Sequence, residues 1–159
     1  GPLAVVAAKG HHLSRPDSDG LKILVPVSGS GVSRRGAEVA VALARSSSHP
    51  LRVIHVTTTR DKGRRRRNLG ASLFEEEAIL KEIIALAARY DVEVVTTLRT
   101  NTAPETAILQ EMRDSAIDLV VMGVDRIEGD ALNFGGVAAE VLKDADGSVL
   151  LVSNGEAAK

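Results

Sequence analysis

From Lys22 onward the chain repeats one unit: a short apolar, β-branched run, then a stretch with helical spacing. Ile23-Leu24-Val25-Pro26-Val27 is the first run, and its unbroken apolar character predicts a strand buried on both faces. Pro26 near its end suits a strand that stops there, where a missing N–H does no harm. Val39, Ala40, Leu43 and Ala44 then follow helical spacing until Ser46-Ser47-Ser48-His49-Pro50 breaks it. Leu51 to Val56 is the second predicted strand. A helix from about Leu69 to Tyr90 carries Ile79, Ile83, Leu86 and Tyr90 along one stripe. Glu75-Glu76-Glu77 lies early in it, where carboxylates favour the positive end of the helix dipole. Val92 to Leu98 is the third strand. Thr102-Ala103-Pro104-Glu105 then reads as a capping box, with a Thr cap, Glu three positions on and Pro in the first turn. Ile108, Leu109 and Met112 give that helix its inward face. Leu119 to Met122 is the fourth strand, Val137 to Leu142 lies in the last helix, and Val149 to Val152 is the fifth strand.

Strand and helix therefore alternate as βαβαβαβαβ. Right-handed crossovers turn that order into an α/β fold, an open five-stranded parallel sheet with helices on both faces. Residues 1–20 lack a sustained period and read as a flexible tail or linker. Residues 21–153 form the domain, and 154–159 are a polar tail. The start Gly1-Pro2-Leu3 has the look of a protease-cleavage scar on an expressed fragment. The contiguous His11-His12 pair falls in that tail, where solvated imidazoles are expected rather than a metal site.

Composition narrows the picture. Aromatic residues make up 2%, namely Phe74, Tyr90 and Phe134, so the core must be aliphatic, as buried parallel strands require. The same shortage argues against modules that stack nucleic-acid bases on aromatic platforms. A formal net charge of −1 supplies no global field toward nucleic acid or anionic membrane. Cysteine is absent, which removes disulfides, thiolate chemistry and cysteine zinc sites. No apolar run approaches the roughly 20 residues of a membrane span. A cytoplasmic setting is expected.

In an open parallel sheet, ligands bind beyond the carboxyl ends of the strands, where the winding reverses. Two loops would face each other there if the first and fourth strands are neighbours. One is Val27-Ser28-Gly29-Ser30-Gly31; the other runs from Gly123 to Gly136. Gly29-Ser30-Gly31 begins a dinucleotide fingerprint, but Arg34 stands where its third glycine should fall. Thr57-Thr58-Thr59 replaces the acidic ribose ligand. No Walker A sequence occurs. Ser28 to Ser33 superficially resembles the pyrophosphatase loop of nucleotide-activating synthetases, yet Ser30 and Val32 stand where that pattern has glycine and aspartate. The later loop is more informative. Gly123-Val124-Asp125-Arg126-Ile127-Glu128-Gly129-Asp130 leads through Asn133-Phe134-Gly135-Gly136 into a helix, whose bare first amides and dipole suit phosphate. Arg126 is either its countercharge or a solvated turn residue.

These residues resemble a known family. Ile23-Leu24-Val25-Pro26-Val27, Ile54-His55-Val56 and the glycine loop look like a universal stress protein domain, over about Leu21 to Ser153. The resemblance implies a Rossmann-like fold of the adenine-nucleotide type that binds ATP or AMP between the first and fourth strands. It also implies a homodimer formed through the last strand, Ser148 to Val152. The family's motif is Gly, two residues, Gly, nine residues, then Gly with Ser or Thr. Gly123 fits its first position, and Arg126 occupies the second. In one register Gly136 is third with Val137 in the hydroxyl slot; in the preferred one Gly135 is third and Gly136 takes that slot. The hydroxyl is absent in both. Ser28 also stands where ATP-binding members carry Asp. Further, Gly123-Val124-Asp125-Arg126, Gly129-Asp130 and Phe134-Gly135 resemble the stress-protein domain at the cytosolic end of bacterial cation/proton antiporters, which would make the transport domain a partner.

The resemblance implies a nucleotide site of Pro26, Val27, Ser28, Val56, Met122, Gly123, Asp125, Arg126, Gly135, Gly136 and Val137, with an aliphatic base slot of Val27, Val56 and Met122. No metal is expected and no catalytic constellation is apparent, so the expectation is a regulatory, non-enzymatic domain. The alternative is a homodimerising module with a degenerate site. Arg60 to Arg67 is strongly basic and could touch anionic lipid, fold over phosphates, or stay solvated.

Overall fold

A computed structural model describes residues 4–7, 20–27, 31–57, 69–100, 102–124 and 135–153. Its strands are β1 (Ala4–Ala7), β2 (Ile23–Val27), β3 (Leu51–Thr57), β4 (Val94–Thr100), β5 (Leu119–Val124) and β6 (Ser148–Ser153). Its helices are α1 (Gly31–Ala44), α2 (Leu69–Arg89), α3 (Pro104–Asp114) and α4 (Gly135–Asp144). The sheet order is β1-β6-β5-β2-β3-β4. Strands β2 to β6 are mutually parallel, as the alternation of strand and helix requires.

Two buried layers sandwich the sheet. On one face Val25, Val53 and Val121 meet Ala37, Ala40 and Val41 of α1 and Ile83 and Ala87 of α2. On the other, Leu24, Ile54 and Val120 meet Ile108 and Met112 of α3 and Val141 of α4. Adjacent residues of a strand fall in opposite layers, which is why these strands are apolar throughout rather than alternating. The packing is aliphatic, as the shortage of aromatic residues demands. Tyr90 stays exposed at the end of α2, with the Arg45 guanidinium 4.7 Å from its ring centroid.

The amino ends of the central strands are tied by one side chain. The Lys22 N–H donates to Asp118 Oδ2 at 2.9 Å, and the N–H groups of Asp118 and Leu119 donate to the Lys22 carbonyl. The Ser148 N–H donates to the Asp118 carbonyl, so this turn anchors β2, β5 and β6 together. Asp118 thus serves the turn that its position before the strand suggests.

Three expectations need correction. The capping box does not form: the cap of α3 is Ala103, with no side-chain cap bond and Pro104 opening the helix. Pro104 presets the first helical φ and holds the residue before it extended, at φ −68° and ψ 139°, so the cap falls one residue past Thr102. The third parallel strand begins at Val94 rather than Val92. Val92 instead closes α2, its N–H donating to Ala87 O at 2.8 Å around Asp91 at φ 56°.

The third correction concerns the amino-terminal tail. Ala4–Ala7 pairs antiparallel with β6 in the register Ala4↔Val152 to Ala7↔Val149, adding a sixth strand. An edge strand leaves backbone donors and acceptors unmatched, and an extended apolar segment of the same chain satisfies them here. The edge on which a second copy was expected to pair is therefore occupied in cis.

Candidate functional site

The winding reverses between β2 and β5: β3 and β4 lie on one side of that pair, β6 on the other. Its two strands are paired only at their amino ends, Ile23↔Leu119 and Leu24↔Val120. Beyond those pairs β2 runs on to Val27 and β5 to Val124 without a ladder between them. Pro26, which has no N–H to donate, sits where the ladder has stopped. The strand ends part at the switch point, where an open sheet can admit a ligand.

Helix α1 lies tightly under one lip. A Cβ placed on Gly36 would stand 2.9 Å from Gly123 N and 3.4 Å from Gly123 Cα, so only glycine lets α1 approach β5 this closely. Gly123, at the carboxyl end of β5, is held from below by that contact.

The expected wall of the base slot divides between the two faces. Met122 is buried in the α3/α4 layer and Val56 packs against the same layer. Val27 is buried in the α1/α2 layer. Strand alternation forces this, because Val27 shares parity with Val25 and Ile23, whereas Pro26 follows Leu24 to the face of Met122. The side chains brought to one face are therefore Pro26, Val56 and Met122, and Val27 can contribute only its main chain there.

Helix α4 begins at Gly135-Gly136 and runs back toward the amino end of β6. Val137 and Ala138 pack with Val141 against the layer that holds Met122, which fixes the helix start on that face. The first amides of a helix have no intrahelical acceptor and carry the positive end of its dipole. Val137, expected at the position of the hydroxyl residue in one register, is half-buried and packs against the layer that holds Met122. Ser28, Asp125 and Arg126 lie outside the described residues, as does the Arg60 to Arg67 segment.

A groove of about 390 Å³ opens elsewhere, on the α1/α2 face near the free β4 edge. Val53, His55, Glu77, Leu80, Thr96 and Leu98 line it. It lies across the sheet from Met122 and Val56, so it is not the expected base slot.

A charged cluster escaped the sequence reading altogether. Glu111 of α3 is 4% exposed, and its carboxylate accepts from Arg99 Nη2 at 2.7 Å, Ser115 Oγ at 2.9 Å and Arg52 Nη1 at 3.2 Å. Burial alone would raise its pKa. The hydrogen bonds from Arg99 and Ser115, with the charges of Arg52 and Arg99, outweigh burial and hold the carboxyl below the ordinary glutamate value. The bond to Glu111 correspondingly raises Arg99, against its own desolvation. These partners come from β3, β4 and the residue that caps the end of α3, so only the four-residue Glu111/Ser115 spacing was visible beforehand. The cluster clamps α3 to the outer strands; it is a structural joint on the side of the sheet that also carries Met122.

Fold and topology together define an open, doubly wound α/β domain whose switch point lies between β2 and β5. The chain belongs to the universal stress protein family, whose model matches residues 21–153. Solved structures share the fold at low identity. A universal stress protein from Archaeoglobus fulgidus superposes with a TM-score of 0.66 at 22% identity, covering 83% of this chain and 93% of that one. One from the same organism in complex with dAMP gives 0.62 at 19%, covering 84% and 98%. An Arabidopsis thaliana member of the family with AMP bound gives 0.60 at 18%, covering 86% and 93%. No curated protein matches this sequence. Among the described residues no helix is long and apolar enough to cross a membrane.

Proposed function

We propose that this domain binds an adenine nucleotide, ATP or AMP, in the crevice between β2 and β5 and acts as a regulatory, non-enzymatic module. The observation that carries the reading is the parting of β2 from β5 beyond Leu24 and Val120, with α4 starting on the Met122 face of that opening. Family membership supports it, as do the AMP and dAMP held by two relatives of the same fold. The base would meet the main chain of Val27 and Val56 and rest on Pro26, Val56 and Met122. Phosphate would approach the amides of Gly135 and Gly136.

Ser28 in place of Asp, and the missing hydroxyl at 136/137, remove groups that would serve a triphosphate, so AMP should bind at least as well as ATP. Aliphatic walls without a stacking ring favour modest affinity. The nucleotide would regulate by binding one conformation better than another, since only differential affinity shifts a population. The setting we infer is the cytosolic part of a cation/proton antiporter, on the resemblance carried by Gly123-Val124-Asp125-Arg126 and Phe134-Gly135.

Calorimetric titration with ATP, ADP and AMP tests the site, alongside the melting shift that ligand binding imposes. Saturable heat with at least one of the three is expected. Gly135→Val should abolish it by placing a branched side chain among the first-turn amides. Absence of heat and of any melting shift with all three nucleotides overturns the reading, and unchanged affinity in Gly135→Val refutes the phosphate placement.

A further inference from the structure

We propose that β1 is an edge cap: held along β6 in cis, it keeps that strand from pairing with the β6 of a second copy of this chain. The sheet has two edges to protect. The β4 edge carries Arg99, a charged residue of the kind that discourages edge-to-edge pairing. Strand β6 has no such protection. It reads Ser148-Val149-Leu150-Leu151-Val152-Ser153, without a charge or a proline, and would be a ready template if bare.

The direction of β1 identifies the competitor. Among the described strands β1 alone runs against the others, antiparallel to β6. Two copies of β6 related by a two-fold axis perpendicular to the sheet would also meet antiparallel, so β1 occupies the position and orientation of a partner's β6. A tethered segment competes at an effective concentration in the millimolar range, far above the micromolar concentration of a free second chain. The cap therefore wins in cis, although Ala4–Ala7 covers only part of β6. Its small contact makes it displaceable by whatever else engages residues 4–7.

The test removes the cap while keeping the whole chain. In an antiparallel ladder neighbouring residues alternate between hydrogen-bonded and non-hydrogen-bonded pairs, so replacing two adjacent residues by proline removes at least one donor to β6. Light scattering behind gel filtration should find the unaltered chain monomeric at tens of micromolar. The Val5→Pro/Val6→Pro chain should double in mass, with an unchanged circular dichroism spectrum. A dimeric unaltered chain, or a variant that stays monomeric, overturns the proposal. Should the variant precipitate, hydrogen exchange on the unaltered monomer decides. The Val149 to Val152 amides on the β1 side should exchange at least tenfold more slowly than the outward amides of β4, and equal rates overturn the cap.

Discussion

Replacing Glu111 by glutamine keeps the shape of the side chain and removes the charge on α3 that accepts from arginines of β3 and β4. The carboxylate is 4% exposed, while the arginines that donate to it are 31% and 35% exposed at their side chains. Full burial of both partners would make the loss about 3–5 kcal/mol, and full exposure would make it under about 1 kcal/mol. Here the acceptor is buried and the donors can regain water, so hydrogen bonds to a charged group set the scale, and we expect a loss of about 2 kcal/mol. For a domain of this size that corresponds to a fall in Tm of roughly 4–8 °C. Urea unfolding of both proteins between pH 7 and pH 3 measures it. The folded-state pKa of Glu111 lies below its unfolded value of about 4.3, so its contribution is complete above that value. It is lost as pH falls further, through the folded pKa. The stability gap between the two proteins should therefore be constant from pH 7 to about 5 and shrink toward pH 3. Titration of other carboxylates affects both proteins alike and cancels in the difference. A gap below about 0.5 kcal/mol at pH 7, the usual scale of a surface change, would refute the reasoning. So would a gap of full size that persists unchanged to pH 3.

Gly36→Ala should destabilise the domain by roughly 1–3 kcal/mol, because the new methyl would press on the backbone of β5 at Gly123; an unchanged urea midpoint would show that α1 can back away. The same variant should weaken nucleotide binding more than its stability loss accounts for, since Gly123 lies at the proposed crevice, and equal affinity at a temperature where both proteins are folded would separate the two roles. Ala116→Gly should act in the opposite sense. Ala116 is exposed at φ 51°, in the turn where the Ile117 N–H donates to Met112 O. Relief of the left-handed conformation exceeds the added unfolded-state freedom by roughly 0.5 kcal/mol, so the midpoint should rise with no change in slope; a fall would count against it.

Much of the fold was legible because each layer writes itself locally. Val25 and Leu24 are neighbours that face opposite layers, and both are apolar, so the run alone marks a strand covered on both sides. The alternation of such runs with helical stretches leaves few topologies once crossovers are right-handed. Element ends were less legible. Val92 is apolar and β-branched, yet it belongs to the closing turn of α2, because the N–H that would begin a strand donates back to Ala87. The candidate site was half legible. Gly123, Gly135 and Gly136 announce backbone approach by their type, and the structure finds Gly123 hard against Gly36. Val27 could not be assigned to its face without the register of β2, whose parity sends it away from Met122.

Local chemistry along the chain determined that this protein would be an aliphatic, parallel α/β domain with its glycine-rich segments at the carboxyl side of the sheet. That much follows from short-range periodicity and from residue type, which act before any long-range contact forms. Only the tertiary structure decided what distant segments do to one another. It parted β2 from β5 beyond Leu24 and Val120, gathered Arg52, Arg99 and Ser115 around Glu111, and laid Ala4–Ala7 on the open edge of β6. The two arginines at Glu111 and the strand laid on β6 each satisfy a charged or backbone group of one element with a group from another element. A periodicity reaching a few residues carries no trace of such a partner.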